Sequence, residues 1–428
     1  MNIAILSIAE IQEKILDIYK NDTKRFCFAQ LLFVTSISFG WYIADGYRRG
    51  LFLLAILLLD KSQRKISVIH YWKGFTRIAG ISLIVLGLWV IFIPLLFGIE
   101  SFWDRINGTA RPIEIFLYIV GVMIFSKDIF FEKYLCQFSA VSAAILSFYA
   151  FMHRLLLSFS TYRDDWIFNK HAAFAGLVLA SLLPWLFWAL CDKRNTPRFK
   201  TFCLSAIPFT LIAILVTYYR TIWVAVVVQV ICAIPLSCYC FNIKILRHKK
   251  LLVTIVMLTL MVISFSYNNS FEIKDNINSF VNINSGFERF TSNRGEIWQE
   301  AISLISARKF NGFGWVDYND FAMIKKSHPH SSYLQAAFHA GIPAAVLYTG
   351  VLVIFCILAL KNLFCKRELH SISYVVLLMI IITVVSGLTE SFFYTSREYL
   401  IPFWSILSVL ISPLYTKKGN EVCYEKRF

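Results

Sequence analysis

Apolar runs of about 16 to 22 residues, separated by short polar stretches, recur from Phe26 to Tyr415. Most are long enough to cross roughly 30 Å of hydrocarbon as a helix, the form in which a single segment satisfies its own backbone hydrogen bonds. The pattern predicts twelve spans, at 26–44, 50–60, 78–98, 112–126, 135–157, 171–191, 201–219, 221–241, 251–267, 336–360, 374–389 and 399–415. The second and fourth are the shortest, and IAGISLIVLGLWVIFIPLLFG at 78–98 is among the strongest. The expected fold class is therefore all-α, a polytopic integral membrane protein. Composition agrees: the chain is 58% hydrophobic and 16% charged, against roughly 25% charged in a soluble protein.

Charge orients these spans. With the N-terminus in the cytoplasm, the segments on that side carry 26 of the 42 Lys and Arg, in short loops such as DKRNTPRFK and NIKILRHKK. That bias is the positive-inside signal, and it places both termini in the cytoplasm. The net charge of +16 is thereby a topology signal. The basic residues are dispersed between spans and form no single face, which argues against a nucleic-acid partner. Glu10, Glu13 and Lys14 stand where a cleavable leader would need its apolar stretch, so none is expected. The ten cysteines fall in spans or cytoplasmic segments and include no CxxC pair, so neither a disulfide framework nor a structural metal is expected.

This reading divides the chain into an N-terminal bundle of nine spans (1–267), a large outer loop (268–335), C-terminal spans (336–415) and a cytoplasmic tail (416–428). The loop is the one long hydrophilic stretch, and loops of that length are functional or disordered. It contains NRGEIWQEAISLISARK, with Ile297, Ala301, Leu304 and Ile305 at helical spacing. Asn293 and Glu296 resemble a capping box. Arg294 then sits in the first turn, unfavourable for the helix dipole but well placed for an anion beside free backbone N–H groups; otherwise it is a solvated surface arginine. KFNGFGWVDYNDF breaks the helix with two glycines. The loop holds seven basic and seven acidic residues, so anion binding would fall to individual arginines.

Three further outward features carry candidate chemistry. Arg220, in YYRTIW, occupies a short outer turn between two apolar spans, as a ligand for a partner or as a snorkelling side chain. Glu390, in GLTESFFYTSRE, closes the eleventh span and could pair with Arg397 or another outer arginine. KKSHPHSSYLQAAFHAGIPA brings the loop back into the membrane. Pro329 suits a helix start and holds the chain between His328 and His330. His330 falls at the outer interface, where an imidazole titrating near neutrality serves as a general base or simply as structure. His339, nine residues on, is about 180° around an ideal helix and should point away from it.

The ordered set of Arg220, RFTSNRGEIWQEAISLI, NGFGW, HPHSSYLQAAFHAGIPA and GLTES resembles the O-antigen ligase and polymerase superfamily. The resemblance covers the C-terminal half well and the N-terminal half in topology only. It implies about twelve spans, a large periplasmic loop and a GT-C-type glycosyltransferase site that uses a polyprenyl-linked donor without metal or other cofactor. By that resemblance His330 is the catalytic residue, followed eleven residues later by Gly341. Arg220 and Arg294, with Arg289 nearby, would bind the donor pyrophosphate, and His328 and Glu390 would support. Ser331 stands where many members have Asn, and Glu390 where ligases often have Asp.

The function so implied is an O-antigen ligase of the bacterial inner membrane, with its active site facing the periplasm. It would move O-polysaccharide from undecaprenyl pyrophosphate to the outer-core sugar of lipid A-core in lipopolysaccharide biosynthesis, with inversion. The donor lipid, the lipid A-core acceptor and membrane lipids are its expected partners. The alternative is an O-antigen polymerase, whose acceptor is a second lipid-linked glycan. A polysaccharide flippase or transporter is the reading from another class; it should show a repeat between halves, whereas this chain has one asymmetric loop.

Overall fold

The computed structural model describes residues 22–41, 45–59, 72, 74–156, 172–217, 219–241, 294–324, 328–365, 370–393 and 397–412. Among them there is helix and no strand. The helices are α1 (Asp22–Ser38), α2 (Asp45–Leu57), α3 (Phe75–Phe97), α4 (Phe102–Phe125), α5 (Ile129–Leu156) and α6 (Ala172–Cys191). They continue with α7 (Pro197–Leu215), α8 (Arg220–Phe241), α9 (Arg294–Ala307), α10 (Ser332–Cys365), α11 (His370–Gly387) and α12 (Arg397–Ser408). Seven of the described helices, α3 to α8 and α10, are long and apolar enough to cross a membrane, and α11 and α12 are apolar but shorter. The protein is thus a polytopic membrane protein. Described helices overlap eleven of the twelve expected spans; the ninth, 251–267, and Arg289 lie outside the described residues.

The expected fourth span, 112–126, proves to be the second half of a 24-residue helix. Its polar first half is helical because Ser101 caps it, accepting the Asp104 N–H. Pro112 sits inside the helix, as membrane helices permit where neighbours cover the freed backbone. At Gly108 the Trp315 ring lies so close that no Cβ would fit.

The bundle packs α5 against α6 and α7, α11 against α6, α8 and α10, α3 against α10 and α4, and α4 against α12. Polar side chains lock it. Gln229 of α8 donates to the carbonyls of Ala180 and Leu378, both at 3.2 Å, and so joins α6 and α11. Ser237 meets Tyr374 at 2.8 Å, and Ser147 meets Thr210 at 2.6 Å. Such bonds are worth about 0.6 kcal/mol each on average in a membrane, since the alternative state also finds partners. Arg48, wholly buried, pairs with Asp45 at 2.8 Å and with Glu114 of α4 at 3.1 Å. A buried charge of this kind persists only when paired.

α10 begins four residues before the expected 336 and is broken at Ala340 and Gly341, where Gly341 has φ 82°. The break is filled by the glycine-containing turn after α9. Phe313 N–H donates to Phe338 O at 2.7 Å, Gly314 N–H to His339 O at 3.0 Å, and Ile342 N–H to Lys309 O at 2.7 Å. Trp89 Nε1 of α3 donates to Ala340 O at 2.9 Å. The carbonyls of Phe338, His339 and Ala340 at the break are therefore satisfied, as buried backbone requires. A side chain at Gly341 would run into the Phe310 carbonyl, and one at Gly312 into the His339 backbone.

Candidate functional site

Four stretches, distant in sequence, meet where α8, α9 and α10 begin and α11 ends. The turn His328–Ser331 leads into α10. Its Pro329 is buried, and the His330 backbone adopts φ 48°, a left-handed conformation that costs a non-glycine residue of the order of 1–3 kcal/mol. Two serines hold it there. Ser331 N–H donates to Ser391 Oγ at 3.0 Å. Ser332 Oγ donates to Glu390 O at 2.8 Å and accepts from Phe392 N–H at 2.8 Å. Both serines are buried, so the turn is stapled to the 390–392 segment by bonds that water cannot replace.

Glu390 is the hub. Its side chain is 5% exposed, and Oε1 accepts from Arg294 Nη2 at 2.7 Å. His330 Nδ1 stands 3.8 Å from Oε2, and the rings of His328 and His330 are 4.3 Å apart. Burial pushes the Glu390 carboxyl up, but the His330 imidazole, the Arg294 guanidinium and His328 together hold it below the ordinary value of 4.5. Glu390 is thus ionised at neutral pH. A quarter of the His330 side chain is exposed. The gap of 3.8 Å is longer than a hydrogen bond.

Arg294 opens α9, as the sequence suggested, yet it is no solvated surface residue: its side chain is 15% exposed and faces Glu390. One nitrogen of the Arg294 guanidinium thus already meets a carboxylate of the protein. Glu390 finds its partner in Arg294, one of the outer arginines considered for it. The backbone of Arg220 opens α8, and the next residue, Thr221, accepts a hydrogen bond from Thr389 at 2.7 Å. This ties the start of α8 to the residue beside Glu390. His339 diverges from His330, though for a different reason than helical rotation: His330 precedes the helix, and His339 Nδ1 meets Gly314 O at 2.7 Å beside the Trp315 ring. It braces the turn after α9 and takes no place beside Glu390.

Ser332, Ser391, Thr221 and Thr389 were not singled out by sequence reasoning. Their one signal was adjacency: HPHSS, TES and RT each place a small hydroxyl next to a candidate.

A family model described as O-antigen ligase matches residues 203–349. The matched segment contains Arg220, Arg294, His328 and His330 and ends before Glu390. It supports membership of the O-antigen ligase and polymerase superfamily, which covers both kinds of glycosyltransferase-like enzyme. No curated protein matches the chain.

Proposed function

From membership of that superfamily, we propose that the protein is an O-antigen ligase. It transfers O-polysaccharide from undecaprenyl pyrophosphate to the outer-core sugar of lipid A-core, at the periplasmic face of the bacterial inner membrane. Twelve spans with both termini cytoplasmic, in a GT-C-type arrangement, put the site on that face. The observation that carries the reading is the convergence of Arg294, Glu390 and His330 at the ends of α9, α11 and α10.

The chemistry follows from the residue types. The acceptor hydroxyl attacks the anomeric carbon of the donor sugar and forms the new glycosidic bond. The bond from that carbon to the pyrophosphate oxygen breaks, and undecaprenyl pyrophosphate departs with the electron pair. His330 takes the hydroxyl proton as general base, a role worth about 10²–10⁴ in rate. Glu390, ionised beside it, steadies the imidazolium that forms. Arg294 presents five N–H donors, of which one nitrogen faces Glu390. The rest of the fork, with Arg220 and Arg289, binds the pyrophosphate and stabilises the charge it gains. One displacement of this kind inverts the anomeric centre.

The family match accommodates a polymerase equally well, and the two differ only in the acceptor. Complementation of a strain lacking the gene separates them. His330→Ala in a ligase leaves bare lipid A-core while long glycan accumulates on undecaprenyl pyrophosphate. Core bearing a single repeat unit identifies a polymerase. Loss of translocated donor identifies a transporter. Wild-type behaviour of His330→Ala in both lipopolysaccharide and lipid-linked glycan overturns the assignment of His330.

A further inference from the structure

Glu300 lies on α9 six residues after Arg294, about 9 Å further along the helix axis. The transfer chemistry gives it no part. Its carboxylate turns to a loop. Oε1 accepts the Met323 N–H, and the Ile324 N–H lies 3.4 Å from Oε1 and 3.2 Å from Oε2. Two successive backbone donors on one carboxylate make a charge-assisted clamp.

The clamp begins where burial ends. Ala301 and Ile305 of α9, Tyr318 and Ala322 of the loop and Phe338 of α10 share a small core of their own, with the Tyr318 and Phe338 rings 5.2 Å apart. Tyr318 Oη donates to Ile297 O at 3.4 Å. This packing holds the loop as far as Ala322. Met323 is 92% exposed, so its side chain anchors nothing, and Ile324 is only partly buried. The position of these two residues rests on their backbone, and the backbone rests on Glu300.

Ile324 stands four residues before His328, a length of chain that spans at most about 14 Å. The His330 turn therefore has an anchor on either side in sequence. Downstream, Ser331 and Ser332 fix it to the 390–392 segment. Upstream, Glu300 fixes its approach to α9. The same helix carries Arg294, whose guanidinium meets Glu390. One rigid element thus sets both the arginine and the path to the imidazole. A backbone at φ 48° keeps that conformation only where its surroundings over-determine it. We propose that Glu300 is a positioning residue: by holding the Met323 and Ile324 N–H groups on α9, it keeps His330 in register with Arg294 and Glu390. Its catalytic consequence rests on the ligase reading; its structural consequence does not.

The test pairs a measurement without turnover with one that needs it. Both clamped donors lie at or near the surface and turn to water when the carboxylate is removed, so Glu300→Ala should fold and keep the wild-type denaturation midpoint. Hydrogen–deuterium exchange of purified protein in nanodiscs, read peptide by peptide, follows the turn itself. Glu300→Ala should speed exchange about tenfold at Met323 and Ile324 and also in the peptide from His330 to Ser332. Glu300→Gln keeps an accepting amide oxygen and should stay within about twofold of wild type. In a glycan-transfer assay Glu300→Ala should lower kcat about tenfold and leave KM within about twofold, because a displaced base loses the transition state and not the bound substrate. Glu300→Gln should restore most of that loss. Faster exchange confined to 318–324, a wild-type kcat in Glu300→Ala, or a Glu300→Gln that fails as Glu300→Ala does overturns the proposal. Exchange that obeys these rules in a protein that transfers no glycan even as wild type sinks the ligase and spares the clamp. Normal transfer, with exchange from His330 to Ser332 indifferent to Glu300→Ala, does the reverse.

Discussion

Arg294 and Glu390 offer the sharpest test of the site, because their coupling has a size. They are 96 positions apart, so nothing local brings them together. The pair is a 2.7 Å charge-assisted contact with side chains 15% and 5% exposed. Removing one member of a buried pair costs about 3–5 kcal/mol, mostly through the charge left behind. Two features lower that figure here. Arg294 has some access to water once Glu390 is gone, and Glu390 keeps His330 at 3.8 Å once Arg294 is gone. Each of Arg294→Ala and Glu390→Ala should therefore cost about 2–3 kcal/mol, and the double substitution little more than either single one. The coupling energy comes to about 1.5–3 kcal/mol, the range for hydrogen bonds to charged groups. Unfolding of purified protein in mixed micelles by added sodium dodecyl sulfate at pH 7, followed by tryptophan fluorescence, gives the four stabilities of the cycle. Additive costs, with a coupling under about 0.5 kcal/mol, would show that the two side chains do not share a buried contact. The hub geometry would then be wrong, whatever the activity of the variants.

Three other expectations follow from the same contacts. Gly341→Ala forces a side chain toward the Phe310 carbonyl at φ 82° and should cost more than about 2 kcal/mol, a loss that the same denaturation would read. Ser332→Ala removes the bonds to Glu390 O and Phe392 N–H. It should cost about 1–3 kcal/mol and lower kcat more than it raises KM in a glycan-transfer assay, because the His330 turn loses its staple. The third concerns pH. The Glu390 carboxyl is held below its ordinary 4.5, so its pairing stabilises the fold above that value and is lost as pH falls through the lowered folded-state value. Stability should therefore decline below pH 4.5, and Glu390→Gln should flatten that part of the profile; an unchanged acid limb in the variant contradicts the pairing.

How far the sequence reveals this protein depends on which interactions are local. α3 is legible because some twenty consecutive apolar residues decide it alone. The first half of α4 is not, since FWDRINGTARP is polar, contains a proline and becomes helical under the Ser101 cap and the Trp315 ring. The break in α10 hides within a largely apolar run, and only Gly341 and Pro343 hint at it. Its cause is the backbone of residues 309–314, a tertiary partner some thirty residues upstream. At the site, residue type and order single out Arg294, His330 and Glu390. Their pairing is set by how α9, α10 and α11 dock, so Glu390 could as well have been assigned to Arg397. The strain at His330 was equally invisible, and it separates two readings of the histidine. A histidine that only caps a helix gains nothing from φ 48°, which one turn of ordinary backbone would avoid. Here Ser331 and Ser332, the two residues that follow, fix the unfavourable conformation where the imidazole faces an ionised carboxylate. Strain that is held in place by buried bonds beside a charged partner is the arrangement expected of a positioned base, and removing Ser332 tests whether the position is what matters.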